Sequence, residues 1–385
     1  MAGVHLDPQR LMQDVAAKEN LDDYGDLGFV EPMTVFFESV AAEANLNAAG
    51  VMSLEADAQR WLTNRLRLQA ELTKHPEILD EDVSDPIVVV GVPRTGTTKL
   101  HRMLGCDPGV QTLPFWRILN PAPFPDTRQG EVDPRLVLAR SYVEAMSAQA
   151  PDVLELHPFV ADEPEEEVLL LEMTCRSPSA VLFFRAPSYT SWLLDQPQRP
   201  LYEELKLLLQ HLQWQNGGRK RRPWVLKSPC HLGRINAILD VFPGATLVHC
   251  HRDIATSMTS ACNLIAAARL MRTDELDPLE VGSFMLDLWS REWAANLEQR
   301  QQLGKDVQIF DVNYGVIGDD ALAVIRDICR SRGADLSAES EASMLGWEDT
   351  HHARTGSYRH SAEYYGLTKD RIDEAFAEYR ARFES

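Results

Sequence analysis

The residues Gly91-Val92-Pro93-Arg94-Thr95-Gly96-Thr97-Thr98, following the run Ile87-Val88-Val89-Val90, have the types and spacing that hold an anion. A buried strand, a Gly-bearing turn and a helix start aim backbone N–H groups and the positive end of the helix at one point. The interval from Gly91 to Gly96 matches the phosphate-loop template G-x-x-x-x-G-K-[ST], with Thr98 at the hydroxyl position but Thr97 where the template has Lys. In nucleoside triphosphatases that Lys reaches the β/γ-phosphates and the hydroxyl holds Mg²⁺. A chain that keeps the cradle without the Lys is expected to take a 5′-phosphate derivative lacking a γ-phosphate. The plainer alternative is a turn whose Gly and Thr only cap a helix; Arg94 and three hydroxyls in one short loop weigh against it.

A second set lies downstream. Lys227 ends an apolar run and is followed by Ser228-Pro229-Cys230-His231, and Arg252 lies shortly after the run Ala245 to His249. Arg252 leaves the carboxyl end of an expected strand, where α/β sheets bind ligands, and Asp253 can cap the next helix. Ser260 then lies two turns along that helix, on the same face as Asp253.

In this order the segments resemble sulfotransferases that use 3′-phosphoadenosine-5′-phosphosulfate (PAPS), notably bacterial members. The resemblance spans Ile87 to the terminal helix. It implies that Arg94, Thr95, Gly96, Thr97, Thr98 and Lys99 hold the 5′-phosphosulfate, while Arg252 and Ser260, eight residues apart, hold the 3′-phosphate. The stretch Arg354-Thr355-Gly356-Ser357-Tyr358-Arg359 resembles a tail of bacterial members, which implies that Arg354, Gly356 and Arg359 close over the 3′-phosphate; otherwise it is a polar loop. The implied reaction moves a sulfuryl group from PAPS to a hydroxyl of a small-molecule or lipid acceptor, with no metal. Rival readings are a P-loop kinase or nucleotide hydrolase, opposed by Thr97, and a non-catalytic nucleotide-binding protein, opposed by the paired Arg94 and Arg252.

Sulfuryl transfer is an in-line displacement, and by analogy with phosphoryl transfer the enzyme supplies positioning and cations, here Arg94 and Lys227. The acceptor must also lose a proton to a His or carboxylate. Some relatives place a Glu about twenty residues after the phosphate loop, but here that stretch is Leu113-Pro114-Phe115-Trp116-Arg117. Cytosolic members have Lys-[ST]-His at the second strand, whereas here His231 comes two residues later. His231 leads as catalytic base. The alternatives are His157, Glu163 and Glu166, in a segment that is otherwise a helix start with Pro164 and acids in its first turn.

The elements that must position these residues are apolar runs at 86–92, 223–226, 245–249 and 307–312, alternating with helical patterns at 97–105, 134–148, 165–173, 188–214, 232–241, 254–271 and 278–303. Such alternation gives an α/β fold, a central mostly parallel sheet flanked by helices and P-loop-like, with a helical N-terminal region. Residues 1–84 are expected as a helical cap and 85–385 as the sulfotransferase domain. After the last strand come helical patterns at 320–332 and 368–383.

The chain of 385 residues is 44% hydrophobic and 25% charged, a composition that folds. Its net charge of −20 repels nucleic acid, and the basic run Arg219 to Arg222 is an expected loop. No leader-like or membrane-spanning run stands out, so a cytoplasmic protein is expected, compatible with a homodimer. Six scattered cysteines suit reduced core thiols. His249-Cys250-His251 cannot converge on one ion in an extended strand. Phe115, Trp116, Phe124, Phe183 and Phe184 are candidates for an acceptor pocket.

Overall fold

The computed structural model describes residues 6–125, 127–128, 130–218, 222–304, 307–351 and 359–384. They fall into two compact units. One comprises Val83–Leu113, Arg221–Leu264 and Asp277–Ser385, and the other Met1–Asp82, Pro114–Lys220 and Ile265–Leu276. The N-terminal helices thus share a unit with 114–220, a grouping that alternation along the chain does not reveal.

The first unit is built on a sheet of four strands, β1 (Ile87–Val90), β2 (Val225–Lys227), β3 (Thr246–His251) and β4 (Ile309–Asn313), in the order β2-β1-β3-β4. All neighbours are parallel, with Val89 opposite both Lys227 and Val248, and His251 opposite Asn313. The two inner strands, β1 and β3, are buried along their whole length. For β1 this is why the sequence is an unbroken run of Ile and Val, whereas β3 carries Thr246, His249 and His251 into the interior. The α/β expectation is borne out. A core of Val89, Leu100, Val248, Ile317 and Ile325 packs the helices Thr97–Leu104 and Tyr314–Ser331 on the sheet.

Two short contacts close the neck from which residues 114–220 leave this unit. The Gln111 N–H donates to Pro223 O and Val225 N–H donates to Gln111 O, each at 2.8 Å, beside a parallel bridge between Gln111 and Trp224.

The second unit is helical, with Val30–Glu43, the 27-residue helix Ala48–Lys74, Pro134–Gln149 and Arg199–Gln215 as its longer members. Asn47 caps the second of these by accepting from Gly50 N–H, and Asp133 caps the third by accepting from Arg135 N–H. The helix expected over 188–214 is two, Pro187–Leu194 and Arg199–Gln215, because Pro200 can only sit in a first turn. The helix expected over 165–173 is a turn-rich segment ending in the 3₁₀ turn Leu170–Thr174. Its acids Glu165 and Glu167 are buried, so they cannot serve as the solvated first turn of a helix. Among the described residues no helix is long and apolar enough to cross a membrane.

Candidate active site

In the sheet-bearing unit, β1 runs into the loop Gly91–Gly96 and the helix Thr97–Leu104. A Cβ at Gly91 would lie 2.6 Å from both Cys250 O and Thr95 Oγ1, so only glycine fits beside β3. Gly96 turns the chain with φ +89. Arg94 is held at φ +75, a conformation that is costly for a residue with a Cβ and gathers at ligand sites. The buried Thr95 hydroxyl donates to Val92 O at 2.9 Å, which ties the loop from within. The first-turn N–H groups that follow have no partners inside the helix and form the anion cradle.

Three further side chains, those of Lys227, Ser260 and Arg252, converge on this loop. Lys227, only 1% exposed at the end of β2, donates from Nζ to Thr98 Oγ1 at 3.4 Å. Arg94 Nε donates to Ser260 Oγ at 3.1 Å. Arg252, just past β3, donates from Nη1 to Arg94 O at 2.8 Å, its guanidinium 4.0 Å over the Tyr314 ring. Lys227 is thus tied to Thr98, and Arg252 and Ser260 to Arg94, so two sets of contacts meet the loop and the helix after it. Three cations gathered in a chain of net charge −20 mark an anion site. Lys99 is turned elsewhere, paired with Glu348 at 2.5 Å and donating to Gly318 O at 3.3 Å.

The C-terminal residues brace this corner. Tyr379 Oη accepts from Arg252 N–H at 3.3 Å and donates to Arg252 O at 2.9 Å, so one hydroxyl grips both backbone groups of that residue. Glu384 Oε1 accepts from Ile254 N–H at 2.7 Å, capping the helix that carries Ser260. Arg354 and Gly356 lie outside the described residues, and Arg359 is exposed. The next residue, His360, is fixed by two backbone hydrogen bonds to the Asn263 side chain, at 3.1 and 3.0 Å, which puts the tail one turn beyond Ser260.

The sulfotransferase family model matches residues 86–338. The chain belongs to the sulfotransferase family. Sulfotransferase STF1 of Mycobacterium tuberculosis H37Rv is similar in structure, with a TM-score of 0.85 and 30% identity over 98% of this chain and 100% of that one. STF9 of Mycobacterium avium is similar with a TM-score of 0.87 and 28% identity, covering 98% and 96%. Omega-hydroxy-beta-dihydromenaquinone-9 sulfotransferase Stf3 of Mycobacterium bovis and of M. tuberculosis is 28% identical over 249 residues. That match spans 61% of this chain and 59% of the relative.

Of the base candidates in this sulfotransferase, His231 is buried in the turn Pro229–His231 directly after β2. His157, Glu163 and Glu166 belong to the helical unit. There His157 Nε2 is 3.1 Å from Oε1 of Glu165, a carboxylate 2% exposed, and the His157 ring packs on Phe159 at 4.7 Å. Glu163 O accepts from Phe115 N–H, and Trp116 N–H donates to Ala161 O, each at 3.0 Å, which pins the segment in place. Glu166 N–H donates to Glu165 Oε1 at 2.9 Å. Sequence reasoning missed Glu165, because an acid after Pro164 looks like an ordinary helix start.

Two groups among the described residues bring potential metal ligands together, His249 with His251 and Asp311, and His157 with Glu165 and Glu166. In the first, alternation along β3 sends Cys250 into the core and both imidazoles to the other face, as the strand reading requires. Arg300 already fills that face, donating to His249 Nδ1 at 3.0 Å and Asp311 Oδ1 at 2.8 Å. Burial, with Arg300 beside it, holds the His249 ring well below its usual pKa. The two rings stack as neutral aromatics, His249 on Trp293 at 4.8 Å and His251 on Phe383 at 4.0 Å. Burial would raise Asp311, but hydrogen bonds from His251 and Arg300 keep its carboxyl well below the usual range.

Proposed function

We propose that this protein transfers the sulfuryl group of PAPS to a hydroxyl of a lipid acceptor without a metal. The observation that carries the reading is the gathering of Lys227 on Thr98, and of Arg252 and Ser260 on Arg94, around a glycine-dependent loop. The cradle suits the donor: its Lys-free loop favours a nucleotide without a γ-phosphate. Arg252, just past the neighbouring strand, with Ser260 on the helix that follows, suits a second phosphate. A lipid acceptor is supported by the substrate for which the Stf3 relatives are named and by an apolar pocket in the helical unit.

When bound, PAPS supplies the sulfuryl group. Its sulfur–oxygen bond to the 5′-phosphate breaks as a bond forms to the acceptor oxygen, leaving 3′,5′-bisphosphate. Lys227 and Arg94 stabilise the charge that builds on the leaving phosphate oxygen. Arg252 and Ser260 hold the 3′-phosphate, with the tail at Arg359 beside them. For the acceptor proton we put His157 ahead of His231, on its pairing with the buried Glu165. Glu165 fixes a proton on Nε2, so Nδ1 is free to accept, and the buried carboxylate balances the imidazolium that forms.

Thermal unfolding tests the donor: 3′,5′-bisphosphate should raise Tm without metal and with EDTA present, and ATP only weakly or with Mg²⁺. Equal stabilisation by ATP-Mg²⁺ overturns the reading. Turnover of labelled PAPS with hydroxy lipids tests the acceptor class. His157→Ala should lower kcat about 10²–10⁴-fold while bisphosphate binding survives, and Glu165→Gln should lower kcat less. If His231→Ala, Glu163→Gln or Glu166→Gln carries the loss instead, the base is misassigned.

A further inference from the structure

The helical unit contains an open pocket of about 700 Å³ of empty space, counting its mouth. Its walls include Phe115, Phe159, Tyr142, Met146, Phe183 and Phe184, surfaces that favour an apolar occupant. Yet four charged residues also line it: Asp57, Arg60, Glu172 and Arg272. Charges bordering an apolar pocket need partners, and three of the four have them.

Arg60 bonds Asp57 at 3.1 Å and Glu172 at 3.3 Å and reaches Leu119 O at 3.3 Å. Glu172 also accepts from Trp61 Nε1 and Ser179 Oγ, each at 3.3 Å. Arg272 differs. Its one described hydrogen bond from the side chain runs from Nη1 to Ala268 O, on its own turn, and its buried Nε has no partner. The guanidinium lies over Phe184 at 5.0 Å and Phe183 at 5.4 Å. Its backbone is clamped: Asn47 N–H donates to Arg272 O at 2.9 Å, and a Cβ on Gly50 would lie 2.2 Å from that oxygen. This is a held cation with unused donors beside an apolar cavity.

We infer that this pocket seats the apolar body of the acceptor and that Arg272 binds a carbonyl or carboxylate oxygen carried on that body. The inference rests on the lipid-acceptor reading and narrows it from any hydroxy lipid to one with a second oxygen function. Glu172 supports it. Burial lifts its carboxyl to about 7 against the pull of Arg60, so near neutrality it cancels the Arg272 charge only in part. The position of the pocket beside the proposed base is also consistent, since Phe159 both lines the pocket and packs on His157.

Calorimetric titration of the full chain with three probes built on ten-carbon chains, decanoate, 2-decanone and decyltrimethylammonium, tests this directly. Decanoate and 2-decanone should bind and the cation should not. Arg272→Met keeps apolar bulk but removes the donors, and should weaken decanoate about 10–100-fold and 2-decanone about 2–10-fold, with Arg272→Lys recovering part of the decanoate loss. In turnover, Arg272→Met should raise KM for 10-hydroxydecanoate and leave KM for 1-decanol unchanged. Equal binding of all three probes, or an unchanged decanoate affinity in Arg272→Met, overturns the inference. Binding of 3′,5′-bisphosphate, measured on each variant, separates the two readings. If it persists while decanoate fails, only the pocket inference falls. If decanoate binds and bisphosphate does not, it is the sulfotransferase donor assignment that falls.

Discussion

Replacing Arg252 should separate the two ends of the nucleotide. One of its five N–H donors is used on Arg94 O at 2.8 Å, and the cation rests on Tyr314, which leaves the remaining donors for an anion. Arg252→Ala removes a charge-assisted contact to the 3′-phosphate worth about 1.5–3 kcal/mol, or about 10–150-fold in Kd. It also strips Arg94 O of its donor in a loop already strained at φ +75. That second loss, about 0.5–1.5 kcal/mol, affects every nucleotide alike, about 2–10-fold. Adenosine 5′-phosphate should therefore weaken about 2–10-fold, and 3′,5′-bisphosphate should weaken about 10–150-fold beyond that. Titration calorimetry on both ligands reads the ratio directly. A companion variant, Tyr379→Phe, keeps the ring against Trp293 at 4.4 Å but loses both hydrogen bonds to the Arg252 backbone. It should reproduce the selective loss at about 2–10-fold. A ratio of losses near one for Arg252→Ala would refute the 3′-phosphate assignment.

Gly91→Ala should lower Tm and abolish bisphosphate binding, because its Cβ would meet Cys250 O at 2.6 Å, a backbone atom of β3 that cannot swing aside. Retained binding would mean that the loop is looser than its packing implies. Glu172 provides a pH signature. Its pKa is raised from 4.5 to about 7 by burial, so the stability it contributes is complete below pH 4.5 and is lost as pH rises through 7. The Tm of Glu172→Gln relative to the parent should thus be higher at pH 8 than at pH 5, and the opposite trend refutes the assignment. Lys99→Ala should leave bisphosphate affinity within about twofold, since its ammonium is already paired with Glu348; a loss beyond about tenfold, the scale of a charge-assisted bond, would place it at the phosphate.

The parts of the site that could be read from the sequence are those whose signal is local. β1, its loop and the helix after it occupy one continuous stretch, and Arg252 to Ser260 another, so spacing alone placed them on their elements. Glu165 was hidden, because whether an acid is solvated or buried depends on what folds over it, and Pro164 makes the solvated choice look natural. The pocket cation was hidden for another reason. Asp57, Arg60, Glu172 and Arg272 come from three distant segments, and only tertiary packing shows that Arg272 has unused donors. Tyr379 stood in an amphipathic terminal pattern as one more core aromatic. Its hydroxyl acquires a role only where the helix Ala377–Phe383 meets the end of β3.

The hydrogen-bonded neck at Gln111 and Val225 has a consequence for how such a protein can change. The stretch 114–220 leaves and rejoins the sheet-bearing unit between two strand ends that are already tied together. The entropy of closing a segment grows only with the logarithm of its length, so this stretch could be lengthened, shortened or exchanged with little effect on the β1–β2 register. On the proposed assignment, acceptor preference could then drift under selection while the donor loop stays fixed. A chimera that carries the STF1 segment matching residues 114–220 between the same neck positions would be the engineering counterpart, expected to bind bisphosphate as before while Arg272 and the pocket wall at Asp57 and Arg60 stay those of the parent.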